Sequence, residues 1–86
     1  MDINQLLEIV KKKIKKNVVL ENIYIEDKTF LHINHSSNQK GKYHLKINIE
    51  SKELKTLSKI DSTKRIYKIL NEELKTLIHS IQILIS

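Results

Sequence analysis

The sequence lacks several residues on which many small proteins depend. Its 86 residues include no cysteine, no proline, one glycine and four aromatic side chains. Without cysteine the chain can form no disulfide, no Cys-ligated zinc site and no thiol nucleophile, which excludes the small secreted scaffolds that disulfides hold together. A single glycine cannot supply the glycine-rich loops that cradle nucleotide phosphates. The fold therefore depends on packing alone.

Chain length and the absence of long apolar runs restrict the class of protein further. A chain of this size forms one domain, here residues 1–86, and buries about 60–65% of its unfolded surface, which leaves little core from which to shape a deep substrate cleft. No segment approaches the roughly 20 apolar residues of a membrane-spanning helix, and the N-terminus has no signal-peptide or transit-peptide pattern. We therefore expect a non-enzymatic domain, monomeric when alone and cytoplasmic, with a mitochondrial or other organellar location as the alternative.

The charge is strongly unbalanced, with a formal net charge of +6. Of the 16 basic residues, only Arg65 is arginine, although the planar guanidinium is the group best suited to base edges and phosphates. A solvated basic surface and a nucleic-acid-binding face therefore both remain open. The candidate nucleic-acid contacts are Lys59, Lys64, Arg65, Lys68 and Lys75, and the spacing of Lys64, Lys68 and Lys75 predicts one shared helical face.

Hydrophobic periodicity predicts the element order α-β-β-α-β, and in the first helix it places Ile3, Leu6, Leu7, Val10 and Ile14 on one apolar stripe. The predicted elements are a helix at 2–16, a strand at 18–26, a loop at 28–41, a strand at 42–50, a short turn at 52–57, a helix at 62–75 capped by Asp61 or Ser62, and a strand at 77–85. The first two strands are expected to pair antiparallel, and the third to lie parallel to a neighbour after a right-handed crossover. This predicts an α+β fold with a three-stranded mixed sheet and both helices on one face.

The pattern within the strands predicts which side chains face the helices. Residues 42–50 alternate cleanly, with Leu45, Ile47 and Ile49 on the apolar face and His44 on the solvent face. In the first strand, Val19 is expected to share the apolar face with Ile23 and Ile25. The parity of the last strand places His79 on the apolar face as well.

The four histidines are the candidate ligands of the chain. His32 and His35 are interpreted first as solvated loop residues, His44 as one half of a polar cross-strand pair, and His79 as a half-buried, hydrogen-bonded histidine at a strand start. The alternative is a metal site, zinc included, that forms if a loop histidine approaches His79. No serine–histidine–aspartate grouping can be inferred from the spacing, so a hydrolytic triad is not supported.

Several short motifs between Glu26 and Ile83 resemble the BolA family. The matching segments are Asp27, Thr29 and His32 at the end of the first strand, with His35 where many members carry a second histidine; Tyr43-His44-Leu45; Ser51 and Leu54; Ile66-Tyr67 with Leu70-Asn71-Glu72-Glu73-Leu74; and Ile78-His79-Ser80-Ile81. Each motif is short, but their order and spacing agree over most of the chain. The fold that this resemblance implies is a KH-like α-β-β-α-β domain, the same order that the periodicity predicts.

The resemblance also implies a partner and a cofactor. Members of this family pair with a monothiol glutaredoxin and share a [2Fe-2S] cluster with it and with glutathione. By this resemblance His79 is one cluster ligand and His32 the second, with His35 as its substitute and His44 in the vicinity of the cluster. A chain without cysteine can contribute only imidazoles, so the partner must bring the sulfur ligands. The implied roles are iron–sulfur cluster assembly or trafficking and iron homeostasis.

The chain departs from the family pattern where a DNA-binding role is usually placed. Ser62-Thr63-Lys64 stands where the family's long helix opens with Arg-His-Arg, and Thr56 stands where the family has glycine. A nucleic-acid-binding transcriptional regulator that uses the KH-like helix and its lysines is therefore kept as the alternative function.

Overall fold

The computed structural model describes residues 2–29 and 42–86. The elements are α1 (Ile3–Asn17), β1 (Asn22–Asp27), β2 (Tyr43–Glu50), α2 (Lys52–Lys55), α3 (Lys59–Ile69), α4 (Asn71–Thr76) and β3 (Ile78–Ile85). This order confirms the predicted α+β class, with the expected short turn formed as α2 and the predicted second helix divided into α3 and α4. The greater part of the predicted loop at 28–41 lies outside the described residues.

The three strands form one mixed sheet in the order β1-β2-β3. β1 pairs antiparallel with β2, with Ile25 opposite Ile47, and β2 pairs parallel with β3, with Ile47 opposite Ile83. Both orientations were predicted. Because cross-strand neighbours point to the same side of a sheet, these isoleucines share one face, which is the face that the helices cover.

A single aliphatic core lies between the helices and the sheet. From α1 it receives Leu6, Val10 and Ile14, which are fully buried, as the spacing of the first helix predicts. The sheet contributes Ile23, Ile25, Leu45, Ile47 and Ile49, and the segment between β2 and β3 contributes chiefly Leu54, Ile66 and Leu70. We refer to this side as the helix-covered face and to the opposite side as the open face.

The start of β1 differs from the prediction because side chains distant in the sequence hold the preceding segment. β1 begins at Asn22, and Val19 is 71% exposed rather than buried beside Ile23. The Val19 amide donates to Glu53 Oε2 at 2.7 Å, and the Ser51 hydroxyl donates to the Val19 carbonyl at 2.7 Å. Both backbone groups of Val19 are therefore used outside the sheet, and the strand cannot begin there.

The long helix also differs from the prediction. α3 begins three residues earlier than expected, because the Ser58 hydroxyl accepts from the Asp61 amide at 3.0 Å and acts as the cap. The predicted caps Asp61 and Ser62 both lie inside the helix. Leu70, with φ −98° and ψ 18°, then interrupts the helical backbone before α4. Since Lys75 belongs to α4, the predicted shared face holds within one helix only for Lys64 and Lys68.

A part-buried ion pair connects the first and last helices. Lys13 Nζ lies 2.6 Å from Glu73 Oε2, and the Glu73 side chain is only 8% exposed. The hydrogen bond to Glu73 is the main reason that the pKa of Lys13 is raised above its usual value.

Among the described helices, none is long and apolar enough to cross a membrane.

Candidate functional site

Two predicted site residues, His44 and His79, meet at the N-terminal ends of β2 and β3. Their ring centroids lie 4.8 Å apart, with the ring planes inclined at 56°. The two rings differ in exposure, since His44 is only 5% exposed whereas His79 is exposed. We call these two residues the histidine pair. Among the described residues, the histidine pair brings two of the predicted site residues into contact.

A β-bulge in β3 determines where His79 lies. Tyr43 pairs with Ile78, and the next residue of β2, His44, pairs with Ser80, so His79 has no opposite residue on β2. An extra residue of this kind locally disrupts the ladder and redirects a side chain. The prediction that His79 is half-buried on the apolar face is therefore wrong, because strict alternation along β3 is interrupted at this residue.

The environment of His44 confirms one prediction and corrects another. His44 has the same parity as Lys46 and therefore belongs to the open face, as predicted, but its side chain is buried rather than solvated. His44 Nδ1 lies 2.7 Å from the Ser80 hydroxyl oxygen, which confirms the predicted polar cross-strand pair. This hydrogen bond fixes the orientation of the ring, since the role of each imidazole nitrogen depends on what the other one binds.

The backbone beside His44 is held by the end of β1. The His44 amide donates to Thr29 Oγ1 at 3.1 Å, and the Lys28 amide donates to the His44 carbonyl at 2.8 Å. Thr29 is held in turn by Asp27, whose Oδ1 accepts from the Thr29 amide at 3.0 Å and also from its hydroxyl. Asp27, Thr29 and Ser80 thus position His44, and the ring of His79 lies against that of His44.

Sequence reasoning did not give a positioning role to Thr29 or Ser80. Both residues occur in the motifs that resemble the BolA family, but the partner of Ser80 depends on register. Because the bulge shifts the register by one residue, Ser80 is opposite His44 only after that shift. The other predicted ligands, His32 and His35, lie outside the described residues.

The donor set at this site consists of imidazoles. Within residues 2–29 and 42–86, no group of three or more histidine, aspartate or glutamate residues is arranged to hold a metal ion. The chain has no cysteine to add a thiolate. A metal centre bound here would therefore take imidazoles from this chain and any sulfur ligands from another molecule.

The alternative site, the lysine face of α3, is present in part. Lys59, Lys64 and Lys68 are exposed, and Tyr67 on the same helix is 41% exposed. Arg65, by contrast, turns towards the end of α1. Its Nη2 donates to the Asn17 carbonyl at 2.9 Å and lies 3.4 Å from Glu53 Oε1, so its guanidinium is already engaged within the protein.

Comparisons with known proteins agree with this architecture. A family profile described as "BolA-like protein" matches residues 14–86. The DNA-binding transcriptional regulator BolA of Haemophilus influenzae is 35% identical over 74 residues, which cover 86% of this chain and 69% of that protein. The BolA domain of SufE1 from Arabidopsis thaliana superposes with a TM-score of 0.80 at 21% identity, covering 100% of this chain and 93% of that one. BolA1 from the same plant gives 0.75 at 23% identity, covering 91% and 86%.

Proposed function

Because the chain belongs to the BolA family, we propose that it is a non-enzymatic adaptor that binds a monothiol glutaredoxin and shares a [2Fe-2S] cluster with it and with glutathione. The observation that carries this proposal is the exposure of His79. Because of the bulge, His79 has no opposite residue on β2 and its imidazole is exposed. It lies beside His44, whose own ring is held by the hydrogen bond to Ser80. The adaptor would act in the cytoplasm in iron–sulfur cluster trafficking or iron homeostasis.

The donor chemistry of the chain fits one half of a shared cluster. Iron–sulfur clusters are usually held by thiolates, but two histidines replace two cysteines on one iron in Rieske centres. When bound, such a cluster supplies a centre that can accept an electron or be transferred. His79 would provide one imidazole and His32 the second, with His35 as its substitute, while the glutaredoxin and glutathione provide the sulfur.

The residues around His79 would orient this ligand before the partner arrives. His44 packs against the ring of His79, and Ser80 holds His44 through its Nδ1. Groups that contact a metal ligand from outside the coordination sphere help to fix its orientation. We therefore place His44 beside the cluster as a positioning residue.

Reconstitution tests the proposal directly. The purified chain is mixed with a monothiol glutaredoxin, iron, sulfide and glutathione, and visible absorbance and circular dichroism are recorded. Wild type is expected to give a spectrum distinct from that of the glutaredoxin alone, and His79→Ala is expected to abolish it. His32→Ala and His35→Ala, compared side by side, identify the second ligand.

Gln82→Ala serves as the matched control, because Gln82 is also exposed and lies on the same strand as His79. This variant is expected to give the wild-type spectrum. Retention of the wild-type spectrum by His79→Ala, or failure of any mixed complex to form, would contradict the proposal.

A second candidate function is nucleic-acid binding through the lysine face of α3. It is favoured by the relative from H. influenzae, whose name describes a DNA-binding transcriptional regulator, and by the exposure of Lys64, Tyr67 and Lys68. Lysines that contact phosphates release counterions, so the affinity falls with added salt. The engaged guanidinium of Arg65 leaves lysines as the main source of charge on this helix.

Duplex-binding measurements across a salt series test this candidate. The slope of log K against log[salt] is negative, and Lys64→Ala/Lys68→Ala is expected to make it less negative by about two units if both side chains contact phosphates. Lys15→Ala/Lys16→Ala removes the same charge from the exposed end of α1 and is the control. Equal slopes for the two double variants would assign the binding to net charge and exclude a specific α3 face.

A further inference from the structure

The outer edge of β3 presents backbone groups with no partner among the described residues. The Ser86 amide donates to the Ile49 carbonyl at 2.8 Å, and the Ser86 carbonyl accepts from the Ser51 amide at 3.0 Å, so Ser86 turns both groups towards β2. Because a parallel ladder repeats every two residues, Ile81, Ile83 and Ile85 turn theirs away from β2. A row of three donors and three acceptors therefore lies along this edge.

Among the described residues, this edge has little protection against pairing beyond the bulge at His79. Residues 80–86 contain no aspartate, glutamate, lysine or arginine, although 30% of the chain is charged. Leu84 is 42% exposed on the open face, and the helix-covered side chains of Ile81, Ile83 and Ile85 are half-buried. Edge strands that stay single are usually short, charged or interrupted by proline. β3 has eight residues and none of these features.

A groove of about 380 Å³ continues from this edge towards the helices, and its lining includes Lys55, Lys59, Ser62 and Thr63 as well as apolar residues. Ile83 and Ile85 form its wall on the strand, and Leu54 and Leu57 face them from α2 and the turn that follows. Leu57 is 38% exposed. A strand added beside β3 would place alternate side chains in this groove, and aliphatic side chains would pack against its isoleucine and leucine wall.

The opposite edge of the sheet, on β1, is protected. The Lys28 amide donates to the His44 carbonyl, which sets the register between β1 and β2. In this register the backbone amides and carbonyls of Ile23 and Ile25 point away from β2, although their side chains are buried. The Ile23 amide is then taken by Asn22 Oδ1 at 2.9 Å. Glu26 and Asp27 add negative charge to this strand. The two edges of one small sheet thus differ in whether another strand can join.

We propose that the β3 edge is an interaction surface that pairs antiparallel with β3 of a second copy of this chain. A register centred on Ile83 places Ile81 opposite Ile85 of the second copy, so all three outward residues form hydrogen-bonded pairs. Residues 80–86 of β3 carry no charge, so two copies of this strand place no like charges opposite each other. The groove of each copy then receives isoleucine side chains from β3 of the other copy. This two-fold pairing joins two three-stranded sheets into one of six strands and replaces the expected monomer with a dimer.

The register can be tested by a pair of double variants. On the open face, residue 82 is opposite residue 84 of the second copy. Gln82→Glu/Leu84→Glu puts two carboxylates opposite each other at two symmetric positions, and we expect at least about a tenfold weaker dimer. Gln82→Glu/Leu84→Lys puts opposite charges at the same positions and is expected to restore it. The first variant lowers the net positive charge, so general repulsion between the copies cannot explain its loss of dimer.

Sedimentation velocity over a concentration series provides the readout for these variants. Val19→Glu/Tyr24→Glu adds two carboxylates at exposed positions before and on β1 and is the matched control, expected to dimerise like wild type. Amide hydrogen exchange is expected to slow at Ile81, Ile83 and Ile85 as concentration rises, while circular dichroism checks that each variant is folded.

Three results would overturn the proposal. The first is a monomer at every concentration, which would leave the edge to an extended segment of a different protein. The second is a dimer that Gln82→Glu/Leu84→Glu leaves intact, and the third is a dimer that the β1 control disrupts as strongly.

Discussion

The helix-covered face and the open face of the same sheet carry side chains of different kinds. On the helix-covered face, Ile47 and Ile49 are almost completely removed from solvent, and aliphatic residues fill the space below the helices. On the open face, Tyr24 is 61% exposed and His44 hydrogen-bonds to Ser80. Burial of apolar area contributes most of the free energy of folding, whereas exposed polar groups contribute little.

Stability therefore depends mainly on the helix-covered face, whereas His44 of the histidine pair belongs to the open face. Substitutions on the helix-covered face are expected to lower the free energy of unfolding and leave the chemistry of the histidine pair unchanged. Substitutions on the open face are expected to change the chemistry of the histidine pair and to lower the free energy of unfolding by about 1 kcal/mol or less. Small domains have little stability to spare, so a separation of this kind allows the binding residues to change without unfolding the chain.

The largest effect is expected from Ile47→Ala in the centre of β2. Ile47 is fully buried, so truncation leaves a cavity and is expected to cost about 2–5 kcal/mol of unfolding free energy. Urea denaturation measures this cost. Asn48→Ala, one residue further along and on the open face, is the control and is expected to cost about 0.5 kcal/mol or less. Similar costs for both variants would contradict the separation of the two faces.

A smaller loss is expected from Lys13→Met on α1. This variant leaves the buried Glu73 carboxylate without its cation, at a cost of about 1–3 kcal/mol. Glu72, which lies 3.7 Å from the same amine but is 84% exposed, provides the control Glu72→Gln, with little expected change. Denaturation of both variants at neutral pH compares them. Equal losses would show that burial of Glu73 does not matter.

The same ion pair predicts the direction of a pH effect. Since the pKa of Lys13 is raised in the folded chain, its stabilising contribution is complete below the ordinary lysine value of 10.5 and is lost as the pH rises through the raised value. Wild type is therefore expected to lose stability in this alkaline range more steeply than Lys13→Met. Parallel stability curves for the two proteins above that pH would contradict this assignment.

Ser80→Ala is expected to have a modest effect on stability and a clear effect on His44. Loss of the 2.7 Å hydrogen bond should cost about 1 kcal/mol. Nitrogen-15 NMR of the imidazole reports its tautomer, which is expected to change because the partner of Nδ1 has been removed. An unchanged His44 spectrum would show that the other contacts of this residue already determine the tautomer.

The smallest change in stability is expected from His79→Ala. Its side chain is exposed at a bulge, so the free energy of unfolding should change by about 0.5 kcal/mol or less. Thermal denaturation measures this change, and the shared cluster is expected to be lost in the same variant. A large destabilisation would instead assign His79 a structural role.

Much of the fold follows from the periodicity of the sequence. The alternation in β2 correctly predicted the burial of Leu45, Ile47 and Ile49, and the α1 stripe correctly predicted its buried face. These patterns are reliable because each reflects one element packing against one core. The pairing directions followed from the element order, since a helical connection between neighbouring strands favours parallel pairing.

The features that sequence reasoning missed depend on contacts between distant residues. Val19 has strand-forming chemistry, but Glu53 and Ser51 take its backbone groups. His79 follows the apolar parity of β3 only if no residue is inserted, and a period of two cannot reveal a one-residue bulge. The sequence identified His79 as a candidate ligand and the family resemblance implied its role at a cluster, whereas its exposure and its contact with His44 required the three-dimensional register.

The crossover between β2 and β3 has a consequence for the order of folding. β1 and β2 are neighbours in the sequence, whereas 36 residues separate His44 from Ser80 across the α2–α4 connection. Pairings that close long stretches of chain form slowly, so the docking of β3 is expected to follow the formation of the hairpin. Until that step is complete, His44 and His79 are not in contact. A partly folded chain therefore cannot present the histidine pair, and ligand binding becomes conditional on the last long-range step of folding.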